Sequence, residues 1–327
     1  MRNTGWKILR LLVGVVACIN LPVLDSLAQN YPVKPIRIVV GFSPGGITDV
    51  LGRMVAQKLS DPLGQLVIIE NRPGASTVIA NERVAASPPD GYTLLMVGIS
   101  ATVLPSLRAK LPYDLVRDFA PVSLLAVAPF VLLVHPSVPA HNLKQLIALA
   151  RSQPGKLNYG SVGIGSPPNL MAELLNLMAK VKTLQVPYKG GADAAVALAS
   201  GQVDMYFSSV ASMLPLLNAG KVRMLASTGL KRISALPYVP TLDESGLRGY
   251  DFINWNGVCA PAGVPKAIIE RLNAEIGKVV NSAAMKEPLA KLGMEPQTNT
   301  PEQFAVFIRS KIEENSKLIR LIGVKAE

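Results

Sequence analysis

Glycine, serine and threonine crowd into four short stretches, each between an apolar run and a segment of helical period. The first is Phe42-Ser43-Pro44-Gly45-Gly46-Ile47-Thr48-Asp49 and the second Arg72-Pro73-Gly74-Ala75-Ser76-Thr77. The third is Ser161-Val162-Gly163-Ile164-Gly165-Ser166 and the fourth Pro187-Tyr188-Lys189-Gly190-Gly191. A helix start presents unpaired N–H groups and partial positive charge, which suits a carboxylate. Glycine lets a ligand approach the backbone, and Ser and Thr add short donors. One such turn is ordinarily just an N-cap. Four at equivalent positions, two in each half of the chain, point to an anion-binding cleft.

Other chemistries fit less well. Gly41-Phe42-Ser43-Pro44-Gly45 matches the G-x-S-x-G nucleophile elbow, and His135 and His141 lie downstream, so an esterase on Ser43 is a rival reading. Its oxyanion hole needs the N–H of the residue after the serine, and Pro44 has none. Two His and Cys259 share no metal-ligand spacing, so no metal is expected. Gly163-Ile164-Gly165 lacks the third glycine of a dinucleotide fingerprint, and no loop ends in the Gly-Lys-Ser/Thr of a P-loop. No cofactor is expected.

The elements that must position these turns alternate as β, α, β. Ile36 to Val40, Leu66 to Ile69 and Thr93 to Val97 read as buried parallel strands. Val50, Leu51, Met54, Val55 and Leu59 follow at helical spacing, and Val78 to Ala86 is helical. Pro121 to His135 breaks the rhythm with about fifteen residues of strand-like sequence, too long for one strand of a small sheet. It reads as a crossing between domains. Strands then recur at Leu157 to Gly160, Thr183 to Pro187, Val203 to Phe207 and Val222 to Ala226, with helices between them. A second extended crossing spans Gly249 to Pro261, after which the chain reads as helical to its end. The expected fold is α/β, two doubly wound lobes joined by two strands: residues 29–128 with 250–327, and residues 129–249.

At the N-terminus, Arg2, Lys7 and Arg10 precede a short apolar run, and Ser26-Leu27-Ala28 offers small residues for cleavage. A secretory signal over residues 1–28 is the better reading; lipoprotein processing at Cys18, after Val15-Val16-Ala17, is the other. The protein is therefore expected in the periplasm. The net charge of +11 falls to +9 without that segment. Lys and Arg are dispersed and aromatics are only 5%, which argues against nucleic acid. Cys259 is left alone, a structural thiol without a disulfide partner.

The chain also resembles the Bug family, the solute-binding components of tripartite tricarboxylate transporters. The resemblance rests on motifs in order along the mature chain. They include Tyr31-Pro32-Val33-Lys34-Pro35-Ile36, Pro44-Gly45-Gly46-Ile47-Thr48-Asp49, Glu70-Asn71-Arg72-Pro73-Gly74-Ala75 and Pro89-Asp90-Gly91-Tyr92. Later come Val186-Pro187-Tyr188-Lys189-Gly190, Ser200-Gly201-Gln202-Val203-Asp204 and Pro301-Glu302-Gln303-Phe304. It implies a Venus-flytrap fold of the periplasmic binding protein type II kind, and a small carboxylate handed to membrane permease subunits by a monomer. A binding protein that feeds a sensor kinase is the alternative. The implied first-lobe contacts are Phe42, Ser43, Gly45, Gly46, Thr48 and Asp49, to which the second glycine-rich turn adds Ser76 and Thr77 as candidates of this sequence's own. Those of the second lobe are Ser161, Gly163, Gly165, Ser166 and Tyr188, with Asp204 nearby. Asp49 has a second reading, as a stabilising charge at a helix start. The chain departs from the family at Ser76-Thr77-Val78, where glycines are usual, and at Pro167-Pro168-Asn169, where a His is common.

Overall fold

The computed structural model describes residues 31–323. The signal reading, with cleavage after Ala28 or processing at Cys18, falls outside the described residues. Strands β1 (Ile36–Val40), β2 (Val67–Asn71) and β3 (Thr93–Gly98) are parallel, with β1 between the other two. Helices α1 (Ile47–Leu63) and α2 (Val78–Ala85) are their crossovers. The stripe Leu51, Val55 and Leu59 of α1 turns onto the sheet and joins Ile36, Ile38 and Val40 in one buried cluster. A helix the sequence reading does not contain, α3 (Ile99–Leu107), leaves β3 directly.

The first crossing is one strand, β4 (Phe119–Val134), of 16 residues. The second lobe follows, with α4 (Leu143–Ser152), β5 (Asn158–Ser161), α5 (Pro167–Ala179), β6 (Leu184–Pro187) and α6 (Gly191–Ala199). Next come β7 (Met205–Ser209), α7 (Val210–Asn218) and β8 (Arg223–Ser227). Strands β5, β6 and β7 are parallel. The second crossing is β9 (Ile253–Pro261), paired antiparallel with β4 from Phe119 opposite Pro261 to Pro129 opposite Ile253. From Phe130 onward β4 pairs instead with β7 and β8. The two crossings are thus hydrogen-bonded to each other, and β4 belongs to both sheets. Its register with β9 shifts between Pro121 and Ser123 and between Leu124 and Ala126, irregularities that bend a strand.

The tail is not helical throughout. After α8 (Lys266–Val280) and α9 (Ala283–Lys291), the two-residue strand β10 (Glu295–Pro296) pairs with Val127 and Ala126 of β4. A capping box of Thr300 and Gln303 then starts α10 (Pro301–Leu321), which buries Phe304 edge-on against Trp255. One apolar cluster runs through both lobes, from Leu95 through Leu132 and Trp255 to Phe207. Cys259 is fully buried on β9, and burial pushes its thiol up, so it is inert in the folded chain. Among the described residues, no helix is long and apolar enough to cross a membrane.

Candidate ligand-binding site

The carboxyl ends of β3 and β7 meet at the crossing between the lobes, Gly98 opposite Asn256 of β9 and Ser209 opposite Phe130 of β4, and β1 and β5 run parallel to them. After β1, Gly45 takes a left-handed φ of +87° and Gly46 an extended N-cap. The Gly45 N–H donates to Asp49 Oδ2 at 2.9 Å. Arg53 Nε donates to the same oxygen at 3.0 Å, and Asn71 Nδ2 to Oδ1 at 2.8 Å. Asn71 Nδ2 also reaches the Phe42 carbonyl. Asp49 is 2% exposed. Burial alone raises its pKa, but the hydrogen bonds from Arg53, Gly45 and Asn71 outweigh that and hold it below the ordinary value. Its carboxylate is therefore consumed in shaping the turn. The first bond within α1 runs from Val50 to Gly46, so the N–H groups of Ile47, Thr48 and Asp49 precede it.

The second lobe repeats this turn. Gly165 has φ +74°, Ser166 is an extended N-cap, and the Gly165 N–H donates to Asn169 Oδ1 at 2.9 Å. Asn169 stands where Asp49 stands, and its Nδ2 is anchored on Tyr159. The two starts differ in one respect. Pro167 and Pro168 occupy the first turn of α5 and have no N–H, so this turn offers an anion fewer donors than α1 does.

Two larger cavities lie between the lobes. One of about 430 Å³ is walled by Phe42, Gly46, Thr48 and Ser100 on one side and by Pro168, Gly191 and Ser209 on the other, with Phe130 and Asn254 at its base. A second of about 240 Å³ lies between α3 and the Val162–Pro167 turn, with Arg108 in its lining. A recess of about 30 Å³ under Phe42 is lined by Thr48, Thr77, Gly98, Ser100 and Asn256. Thr48 Oγ1 donates to Asn256 Oδ1 at 3.0 Å. Asn256 is 2% exposed, and its Nδ2 has no protein acceptor among the described residues. Arg108 is the one charged side chain lining these three spaces.

Of the residues expected from sequence, Phe42, Gly46, Thr48, Ser76, Thr77, Gly165 and Ser166 line these spaces. Ser43, Gly45, Asp49, Ser161, Gly163, Tyr188 and Asp204 do not. The Ser161 hydroxyl oxygen accepts from Gln185 Nε2 and the Gly163 N–H, and the residue is fully buried. Asp204 is at the wrong end: it precedes β7, bonds the Asn158 backbone and sits beside His135, a full strand length from the cleft. Residues the sequence reading omits are Ser100, Arg108, Ser209, Asn254 and Asn256. Two of the omitted turns, Gly98-Ile99-Ser100 and Ser208-Ser209, follow strands in the same way as the four singled out, and that rule would have found them.

The loop after β2 departs from ordinary geometry. Gly74, Ala75, Ser76 and Thr77 all have positive φ, at +135°, +47°, +56° and +83°. The three non-glycine residues each carry about 1–2 kcal/mol of left-handed strain. Strain of this kind persists where surroundings over-determine it, and here it points Ser76 and Thr77 at the cleft. The esterase elbow is not assembled. His135 Nδ1 pairs with Ser137 Oγ, and the His141 N–H donates to Gln145, both in the second lobe and away from Ser43.

Comparison with known proteins agrees with this architecture. The chain is 36% identical to protein BugT of Bordetella pertussis over 300 residues, 91% of this chain and 92% of that one. Among solved structures, Rpa4515 of R. palustris with adipate matches with a TM-score of 0.83 at 34% identity, covering 91% of this chain and all of that one. MatC of Rhodopseudomonas palustris with bound malate matches with a TM-score of 0.77 at 32% identity, covering 88% and all. Residues 51–324 match the family model described as tripartite tricarboxylate transporter family receptor. A two-lobed α/β fold with an interlobe cleft and a family match over most of its length make this chain a member of the TctC receptor family, whose members are solute-binding proteins.

Proposed function

We propose that this protein captures a small carboxylate in the periplasm and delivers it to membrane permease subunits. Residues 31–128 with 250–323 form one closing lobe, and residues 129–249 the other. The ligand carboxylate meets Gly46, Thr48, Ser76 and Thr77 from the first lobe and Gly165 and Ser166 from the second, with Phe42 covering it. The observation that carries this reading is convergence of donors. The N–H groups at the start of α1 and the buried Asn256 amide, whose Oδ1 accepts from the Thr48 hydroxyl, meet around spaces lined by no acidic side chain. A buried donor without an acceptor is costly, so an oxygen placed there is favoured. The adipate held by Rpa4515 and the malate held by MatC are dicarboxylates, which supports the same class here. Contacts to both lobes favour the closed state by differential affinity.

A thermal-shift screen of organic acids tests this. A true ligand at 100 times its Kd adds about 2.7 kcal/mol to folded-state stability. A melting temperature indifferent to mono-, di- and tricarboxylates alike rules the reading out.

A further inference from the structure

We infer that the Arg108 end of the cleft is a second anion subsite, so that the ligand is a dicarboxylate whose two charges are separated by an apolar body. This rests on the carboxylate reading above and narrows it. Arg108 follows α3 directly, is half-buried, and lines the 240 Å³ space that Phe42 and Ser100 also line. The ion pairs of the described residues leave it out. A half-buried guanidinium without a carboxylate partner, in a space with no acidic wall, favours an anion brought in from outside.

The material between the two charged ends is apolar. Val103, Leu104 and Leu107 face the space from α3, and Ile164 faces it from the second lobe. Ile164 is 69% exposed and Phe42 40%, large apolar surfaces that need an apolar body to cover them. Ser100 and Arg108 are about 12 Å apart along the axis of α3. The arginine side chain is long enough to make up the difference between that axial length and an extended diacid of adipate length. Malate, short and hydroxylated, has no apolar body to lay on these walls and does not reach both ends.

Calorimetric titration of wild type and Arg108→Gln with adipate, hexanoate and malate tests the subsite. In wild type, adipate binds at least tenfold more tightly than hexanoate, which has the same length and one carboxylate, and more tightly than malate. In Arg108→Gln, adipate loses 10–100-fold while hexanoate changes less than threefold, so the two converge. Equal adipate affinity in both proteins overturns the subsite, as does an equal loss for adipate and hexanoate, which reports only general charge. Malate bound more tightly than adipate overturns the apolar body. If none of the three acids binds wild type, the subsite is overturned, while the carboxylate reading is decided separately by the thermal-shift screen of organic acids. The melting temperature of each unliganded protein separates lost binding from lost folding.

Discussion

Asp49→Ala is expected to cost about 2–4 kcal/mol of folding stability and to abolish carboxylate binding at concentrations that saturate the wild type. The Gly45 N–H, Arg53 and Asn71 all donate to this one buried carboxylate, so its removal takes an acceptor from all three, with Asn71 keeping the Phe42 carbonyl and Arg53 turning to solvent. The turn that aims the start of α1 into the cleft then has nothing to hold it. Asp49→Asn is expected to do much less harm, because Asn169 already performs the same task for Gly165 with an amide. The two variants also differ in acid. The folded chain holds Asp49 below its ordinary value of 3.8. Its contribution is therefore complete above that value and lost as pH falls through the lower folded-state pKa. Urea unfolding at about pH 7 and about pH 3 shows a stability loss in wild type, part of which is missing in Asp49→Asn. An alanine variant as stable as wild type at neutral pH would mean that the three donors find other partners.

Gly165→Ala is expected to weaken ligand binding 10–100-fold through closure rather than through a lost contact. A Cβ on Gly165 would run into the Leu107 side chain, which belongs to α3 of the other lobe. Opening the lobes relieves that collision, so it falls on the closed state that holds the ligand. The φ of +74° adds strain of about 1 kcal/mol to both states, visible as a lower melting temperature without ligand. Pairing Gly165→Ala with Leu107→Ala separates the two effects. The double variant binds better than the product of the single effects implies, while the loss of melting temperature remains. Purely additive losses would show that Leu107 and Gly165 do not meet in the bound protein.

The parts of this molecule legible in its sequence are those set by local pattern. Apolar runs such as Ile36 to Val40 locate buried strands, and the uninterrupted stretch around Pro121 to His135 appears as β4 almost residue for residue. The turns at Gly45 and Gly165 are legible for the same reason, since only glycine takes their φ freely. Where chemistry depends on what a side chain already touches, the residue type misleads. Asp49 and Ser161 have the groups a ligand site needs, yet neighbours use up the Asp49 carboxylate and Ser161 is fully buried. Asp204 lies in a family-like motif but at the wrong end of its strand. Helix α3 is hidden because β-branched residues continue from β3 through Ile99, Thr102 and Val103, and Pro105 interrupts the period. With it went Ser100 and Arg108. Asn256 is invisible for a different reason: only the pairing of β9 beside β3 carries it under Phe42.

The shared strand has a mechanical consequence. Because β4 is stitched to β9 along one lobe and to β7 and β8 in the other, no slack linker separates the two halves. Shutting the jaws must twist a continuous two-stranded ribbon, as a leaf spring flexes, about the point after Pro129 where β4 exchanges β9 for β7 and β8. The same ribbon resists severing: cut out either half, and the other loses a strand from its own sheet.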